Sequence, residues 1–594
     1  MNVGTLVRVG FGGRTVRGIV TTLTDAAPDR ELDPIKGVVA EMPVAPAPLV
    51  ELYDWLAERY VVPRGKAFAR ATPPRVRVKV GTDGDGEVSL DPITALHYQG
   101  GRQLIDAIEK QRSGTFCFRV LPGEDRGRVV AELASAARRS HRTTIVAVPE
   151  VRYGSQVIAS LAGHFPHLMR LDSAAGDAER SAGWLSMAAG SSLGAGGRSA
   201  VFAPSPELGL IVVVEEHHQT YKEDRSPRYH AVKVAVKRAG LQGAVCVLIS
   251  PTPSVETGWA AASGTFASVV ADRTERRAAR PLIEVIERET DRPVSHVMHE
   301  RIAHHLRQGD RVALLAPSGA FARAVWCAAC RRSLRCPVCE AGLFFERSHR
   351  AVACARCGFR GNAPDVCPTC GAADFRFVGA GTERLGEQLT KSFPRARVVR
   401  VDPSNPADSG HRDADVYVTT WIGTKPELRP DVSLVGVLDA DWLIRRPDFR
   451  ASESAYQALV EMAEWAGPAS TGGRLVVQSS DPSHHAIQAL VRADYDFFLE
   501  REVEVRRELS YPPFTELIRL SARGPGARAA LDDLIGHLPR HGIKVLGPVE
   551  RGPARPGVEA LLKCESADTT ALELRGILKA MTRATSIAVD VDPR

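Results

Sequence analysis

Eight cysteines between Cys327 and Cys370 stand as four Cys-x-x-Cys pairs: Cys327/Cys330, Cys336/Cys339, Cys354/Cys357 and Cys367/Cys370. Zinc takes four soft thiolates in a tetrahedron, and two such turns from two chain segments supply them, so the run carries ligands for two zinc ions. Five residues separate the first pair from the second, and fourteen separate the second from the third. That spacing permits a nested arrangement, in which Cys336, Cys339, Cys354 and Cys357 hold one ion while Cys327, Cys330, Cys367 and Cys370 close an outer site. Pairing of successive turns stays open. Four thiolates per ion leave no position for water, so the expected role is structural rather than catalytic. Arg331, Arg332, Arg335, Arg347, His349 and Arg350 give the segment a basic surface, suited to phosphate or protein contact or to hydration alone. The remaining cysteines, Cys117, Cys246 and Cys564, read as inert core residues. The clustering of the other eight speaks for metal binding in a reducing compartment and against a disulfide framework.

A chain of 594 residues exceeds one hydrophobic core and is expected to divide into about three to five domains. No run of about 18 uncharged apolar residues occurs, and MNVGTLVRVGFGG lacks the order of a secretory signal, so a soluble cytoplasmic protein without a membrane partner is expected. The net charge of +7 fits solubility and does not by itself establish nucleic-acid binding. Residues 4–20 alternate in β-branched runs broken by Gly12 and Gly13, which predicts a small barrel or hairpin with a basic polar face. A helix carrying Leu52, Trp55, Leu56 and Tyr60 follows, limited by Pro63. From about residue 100, helical and apolar-strand segments alternate, and a second such run begins with RVALLAP at 311; two parallel sheets covered on both faces are implied. The expected divisions are a small domain at 1–75, a linker at 76–100, an α/β lobe at 101–270, a second lobe at 271–326 and 371–500 interrupted by the cysteine segment at 327–370, and a separate α+β domain at 501–594.

These stretches carry motifs that resemble the PriA family of primosomal replication-restart helicases, in an actinobacterial-like form. Val7-Arg8-Val9, Phe11-Gly12, Tyr60, Pro63 and Gly65 look like the family's region for capturing a 3′ DNA end. Val148-Pro149-Glu150, Gly197-Arg198-Ser199-Ala200, Glu215-Glu216-His217 and Thr252-Pro253-Ser254 look like successive helicase motifs. Gly381-Thr382-Glu383-Arg384, Leu438-Asp439-Ala440-Asp441 and Asp590-Val591-Asp592-Pro593 are also similar. The resemblance implies a multidomain α/β fold of two RecA-like helicase lobes with parallel sheets, a two-zinc insertion with the nested ligand order, a small β-rich 3′-end-binding domain and a C-terminal α+β domain. The 76–100 segment is too short for the winged-helix domain that the family carries there.

The resemblance also fixes where nucleotide chemistry should reside, and there the residues depart from it. A P-loop needs clustered glycines, a lysine on the β and γ phosphates and a Ser or Thr on magnesium. No G-x-x-x-x-G-K-[ST] occurs; its place reads Val120-Leu121-Pro122-Gly123-Glu124-Asp125-Arg126-Gly127-Arg128, and no lysine lies between Lys110 and Lys222. Arg126 or Arg128 keeps some attraction for an anion, but a guanidinium fork does not replace that lysine. Val214 stands at the family's magnesium aspartate, leaving Glu215 and Glu216 as a weak metal site or, by preference, a solvated strand end. Trp465 and Pro468 stand where the family has arginines for the transferring phosphate, and Thr419-Thr420-Trp421 and Pro426 replace further motif residues while Lys425 remains. The expected degenerate nucleotide site is therefore Asp125, Arg126, Arg128, Glu215 and Glu216, with no catalytic residue and with ATP and Mg2+ in doubt.

The expected function is a DNA-binding scaffold of the replication-restart primosome, without ATPase or helicase activity. The alternatives are a divergent ATP-dependent 3′–5′ helicase and a protein-interaction platform without direct DNA binding. DNA phosphates would meet Arg8, Arg14, Arg17, Lys66 and Arg70, with Arg75, Arg77 and Lys79 after the helix. Forked or junction DNA, the single-strand-binding protein, and the replicative helicase or its loader are the partners that the resemblance implies, with nucleoid association. The zinc segment and Arg506-Arg507-Glu508 are the candidate protein contacts.

Overall fold

The computed structural model describes all residues except 27–32, 41, 74, 76–88, 150–154, 290–291, 318–323, 347–349, 355–356, 379–380, 403–412, 421–424, 426–427, 447, 540, 552–555 and 582–585. Arg77, Lys79, Glu150, Arg347, His349, Trp421 and Pro426, all singled out above, lie outside the described residues.

Strands Leu6–Phe11 and Arg14–Ile19 form an antiparallel hairpin, with Gly37–Val38 added along the first strand. Gly12 and Gly13 both take positive φ, 56° and 74°, as a two-residue turn compatible with strand twist requires. Register places Arg8 opposite Arg17 and Phe11 opposite Arg14. Because strand residues alternate faces, Arg8 and Arg17 share the face of Leu6 and Ile19, whereas Arg14 lies on the other face with Phe11 and Val16. The single basic face expected for this hairpin is thus split.

The first lobe is a seven-stranded, all-parallel sheet in the order Ala267–Val270, Gly114–Arg119, Val245–Ile249, Leu208–Val214, Thr143–Ala147, Leu193–Gly196, Met169–Arg170. Its central strands are near-continuous apolar runs because both faces are covered; Val245–Ile249 is buried at every residue. The second lobe is a six-stranded parallel sheet, ordered Leu282–Glu287, Arg474–Ser479, Leu434–Val437, Val312–Leu315, Val416–Thr419, Val398–Val401. Its chain begins earlier than RVALLAP suggests: Leu282–Glu287 is an edge strand with exposed ends, so it lacks the continuous apolar run of a central strand. The cysteine segment consequently follows the lobe's second strand and precedes the helix Thr382–Ser392. The C-terminal part is a four-stranded antiparallel sheet with helices Ala527–Gly536 and Ala567–Ala580.

The terminal domains do not stand apart. Leu52, Tyr53 and Leu56 of helix Ala47–Arg59 share one apolar core with Phe202 and Tyr229 of the first lobe and with Ile518 and Leu562 of the C-terminal sheet. Arg59, 4% exposed, ends that helix against three carboxylates of the C-terminal domain: Glu516 at 2.7 Å, Asp568 at 2.7 Å and Asp592 at 3.3 Å. Lys233 of the first lobe reaches Asp592 at 2.6 Å and Glu516 at 2.7 Å, and Lys222 reaches Asp590 at 2.8 Å. Among the described residues no helix is long and apolar enough to cross a membrane.

Candidate functional site

Each Cys-x-x-Cys pair closes the same turn. The first cysteine's carbonyl accepts the N–H four residues on, from Arg331, Glu340, Gly358 and Gly371, and its own N–H donates five residues on, to Arg332, Ala341, Phe359 and Ala372. The residue after each pair is left-handed, with φ of 56°, 58°, 73° and 74°, so two glycines and two residues with side chains adopt one backbone form. The turns assemble as two clusters, Cys327, Cys330, Cys367 and Cys370 in one and Cys336, Cys339, Cys354 and Cys357 in the other, with all sulfurs in a cluster within 4.8 Å of one another. The Sγ–Sγ separations are 3.5 Å for Cys327–Cys370, 3.8 Å for Cys330–Cys367, and 3.5 Å for both Cys336–Cys357 and Cys339–Cys354. Sulfurs at ~2.3 Å from a tetrahedral zinc lie ~3.8 Å apart, so both clusters fit the ion. The antiparallel pair Ala324–Cys327 and Phe375–Val378 brings the outer turns together, while the hairpin Phe344–Glu346 and Ala351–Ala353 links the inner turns and Arg360–Asn362, after the second of them, adds a third strand.

A second site lies between the lobes. A cleft of about 540 Å³ opens at the C-terminal ends of the first lobe's central strands, where doubly wound sheets place ligands. The first lobe contributes Gly123–Gly127, Val148, Pro149, Val214, Glu215, His217, His218 and Thr252; the second contributes Lys425, Arg429, Gln457, Glu461 and Glu464. Asp125 caps helix Arg126–Arg139 by accepting the Arg128 N–H at 3.1 Å. Gly127 lets that helix approach its neighbour, since a Cβ there would stand 2.4 Å from the Cβ of Ser160.

Arg126 spans the cleft. Its two terminal nitrogens donate to the two carboxylate oxygens of Glu464, both at 2.8 Å, and its Nε forms an ion pair with Glu215. Burial pushes Glu464 up, but the charge and hydrogen bonds of Arg126, with Arg429 and the Gly123 N–H, hold it down at about 2. Burial raises Glu215 to about 6 against the pull of Arg126, and raises Glu461 to about 7 against that of Arg429. Arg128 is turned away, half exposed and paired with Glu132 at 3.3 Å, and does not line the cleft.

Glu215 and Glu216 are not a solvated strand end. Strand Leu208–Val214 delivers both into the lobe interface, where Glu216 is 2% exposed and accepts from the Ser254 N–H at 2.6 Å and from the Ser254 and Thr257 hydroxyls, each at 3.1 Å. Burial raises Glu216 to about 7 despite those donors. His217, lowered by burial to about 3, stays neutral beside Ser250. Trp465 is also displaced from its expected place: it is buried in the second lobe, where its indole N–H donates to the Pro430 carbonyl at 2.7 Å. The cleft instead receives Gln457, Glu461 and Glu464, spaced four and three apart along helix Ala451–Ala466. That polar stripe was visible in the sequence as residues opposite Tyr456, Leu459 and Ala463, but its partner was not.

Elsewhere between the lobes Glu256 pairs with Arg450, and Glu453 accepts the Val255 N–H at 2.9 Å and Arg506 at 2.7 Å. Arg506 is 1% exposed, so this part of the expected partner-binding stretch is internal, whereas Arg507 is exposed and lies over Phe514.

The DNA candidates are spread over the N-terminal domain. Arg17 lines a groove of about 570 Å³ with Leu6, Ile19, Arg64, Phe68 and Thr72. Lys66 is exposed beside it, Arg8 is exposed on the same hairpin face, and Arg14 lies on the opposite face. Arg70 sits over the Tyr229 ring of the first lobe at 5.7 Å, and the Arg75 N–H donates to Ser181. Arg64, unmarked in the sequence, is tied to Asp54.

Two parallel-sheet α/β lobes, the second interrupted by a two-cluster cysteine insertion, are joined to small terminal domains and define a multidomain α/β protein. Residues 1–73 match the 3′DNA-binding domain family of PriA, and residues 507–594 match the C-terminal domain of primosomal protein N. The chain is similar to "Replication restart protein PriA" of Bacillus subtilis (27% identity, covering 84% of this chain and 66% of that protein) and of Treponema pallidum (28%, covering 100% and 95%). It is likewise similar to that of Chlamydia pneumoniae (32%, covering 67% and 56%). The chain belongs to the PriA family of replication restart proteins.

Proposed function

We propose that this chain is a DNA-binding scaffold of the replication-restart primosome, which recognises stalled or repaired forks and helps load the replicative helicase without hydrolysing ATP. The observation that carries this reading is the commitment of the cleft's charges to one another. Arg126 is engaged by Glu215 and Glu464, and the second lobe presents the carboxylates Glu461 and Glu464 where a transferring phosphate needs positive charge. Glu216 is held by Ser254 and Thr257, and Trp465 is packed away from the cleft.

Fork binding is assigned to the groove beside Arg17 and Lys66, supported by the 3′DNA-binding match over residues 1–73. The zinc segment and the exposed Arg507 offer contact to the single-strand-binding protein and to the helicase or its loader, in a cytoplasmic, nucleoid-associated assembly. A second reading, a divergent 3′–5′ helicase, draws on Lys425 and Arg429, which bring positive charge to the same cleft. The two separate in one experiment on zinc-loaded protein: phosphate release and strand displacement on a forked substrate with Mg2+ and ATP, beside fork affinity measured with and without ATP. The scaffold reading expects fork binding unchanged by ATP and no turnover above background. Turnover that is stimulated by DNA and lost in Lys425→Ala would replace it with the helicase reading.

A further inference from the structure

In a two-lobed nucleotide motor the lobes close around a phosphate, an anion that draws cationic groups from both sides and leaves after hydrolysis. Here the cleft already contains an anion, and it is covalently part of the second lobe. Glu464 meets Arg126 in a bidentate pair with both contacts at 2.8 Å, at the start of the first lobe's helix Arg126–Arg139. The two side chains are only 10% and 15% exposed, so solvent and salt screen the pair little. Glu215, from the end of strand Leu208–Val214, orients Arg126 from behind.

We propose that Glu464 is a tethered counter-anion, which holds the two lobes closed over the cleft in place of a nucleotide. This rests on the reading of the chain as nucleotide-independent. Arg126, Glu215 and Glu464 are positioning residues in this role. The charge arrangement makes the two sides of the bridge unequal. Glu464→Gln leaves Arg126 still paired with Glu215, so the cleft loses its bridge but strands no cation. Arg126→Met leaves Glu215, Glu461 and Glu464 facing one another with Arg429 and Lys425 of the second lobe as the cations that remain in the cleft, and is the more disruptive change.

The test is hydrogen exchange measured by mass spectrometry on the full, zinc-loaded chain. Glu464→Gln should speed exchange in segments 121–130 and 457–466 together by about tenfold, as expected when a local opening loses a withdrawn ion pair, and Arg126→Met by more. Segments 5–20 and 324–378 should be unchanged in both variants. The charge-reversed double variant, Arg126→Glu with Glu464→Arg, should recover at least part of the protection, and it decides the matter if a single variant does not fold. Wild-type exchange rates in both segments of Glu464→Gln would overturn the proposal, as would a charge reversal no better protected than Arg126→Met. Adding ATP and Mg2+ to the wild-type chain tests the underlying reading separately: added protection in segment 121–130 would sink nucleotide independence, while unchanged exchange supports it.

Discussion

Glu464 and Trp465 are neighbours in sequence and lie on different faces of one helix: Glu464 reaches across the cleft to Arg126, while Trp465 is sealed into the second lobe by Tyr417 and the Pro430 carbonyl. A turn of about 100° per residue separates adjacent side chains, so Glu464 faces the cleft while Trp465, one position on, faces the core.

Trp465→Arg should therefore fail to create an arginine finger. The guanidinium would enter a core site that is 6% exposed, and the variant should lose on the order of 3 kcal/mol or more of stability, with no gain in ATP hydrolysis. Thermal denaturation and phosphate release check both halves; a stable variant with new turnover would contradict the placement.

Metal analysis of reduced protein should return two zinc ions per chain, because each cluster supplies four thiolates. Cys339→Ser should retain one ion, bound by Cys327, Cys330, Cys367 and Cys370, and should loosen the ribbon 344–362. Loss of both ions in this variant would mean that the clusters are not separable.

Fork binding should depend on hairpin face. Replacing Arg17 and Lys66 by Ala should weaken binding at every sequence and lower the salt slope by about 0.7–0.9 for each lost phosphate contact, whereas Arg14→Ala should change it least. Affinity across a salt series gives the slopes; equal effects from Arg14→Ala and Arg17→Ala would remove the groove from the account.

Arg59→Met should destabilise the chain by roughly 3–5 kcal/mol, since Asp592 and Glu516 would lose a buried cation and keep Lys233 as their direct partner, with Lys222 acting on Asp592 at longer range. Against the opposing effect of burial, the charges of Lys233 and Arg59 hold Asp592 and Glu516 below the usual carboxylate range. Their folded-state pKa values lie below the unfolded ones, so the stabilisation is present above about pH 4–4.5 and is lost as pH falls further. Arg59→Met should accordingly lie closest to wild type in acid melts and furthest from it near neutrality.

Glu461→Gln should do the reverse. Burial raises Glu461 to about 7, opposed by Arg429 and reinforced by Glu215 and Glu464, so the folded-state pKa exceeds the unfolded one. Its ionisation destabilises the folded chain as pH rises from about 4.5 through 7, and below that range it contributes nothing. The variant should gain on the order of 1–3 kcal/mol at pH 8 and little at pH 5, read as the difference in melting temperature from wild type at each pH.

The zinc ligands were legible in the sequence because a Cys-x-x-Cys turn is a local structure, and its four repeats announce two ions before any fold is known. The parallel sheets were legible for a similar reason, since buried central strands must be apolar throughout. Which turns share an ion was left open by the sequence, and the strand pairing of 324–327 with 375–378 decided it. The sequence also determined that no lysine stands in the loop after strand Gly114–Arg119. It did not determine what fills that space. Glu464 lies 338 residues from Arg126, and nothing in either neighbourhood names the other. The same holds for Arg59 and Asp592, and for the burial of Glu216 and Arg506. Ion pairs of this kind arise when two domains meet, and a charge is indistinguishable from a solvated surface group until the packing that removes its water is known.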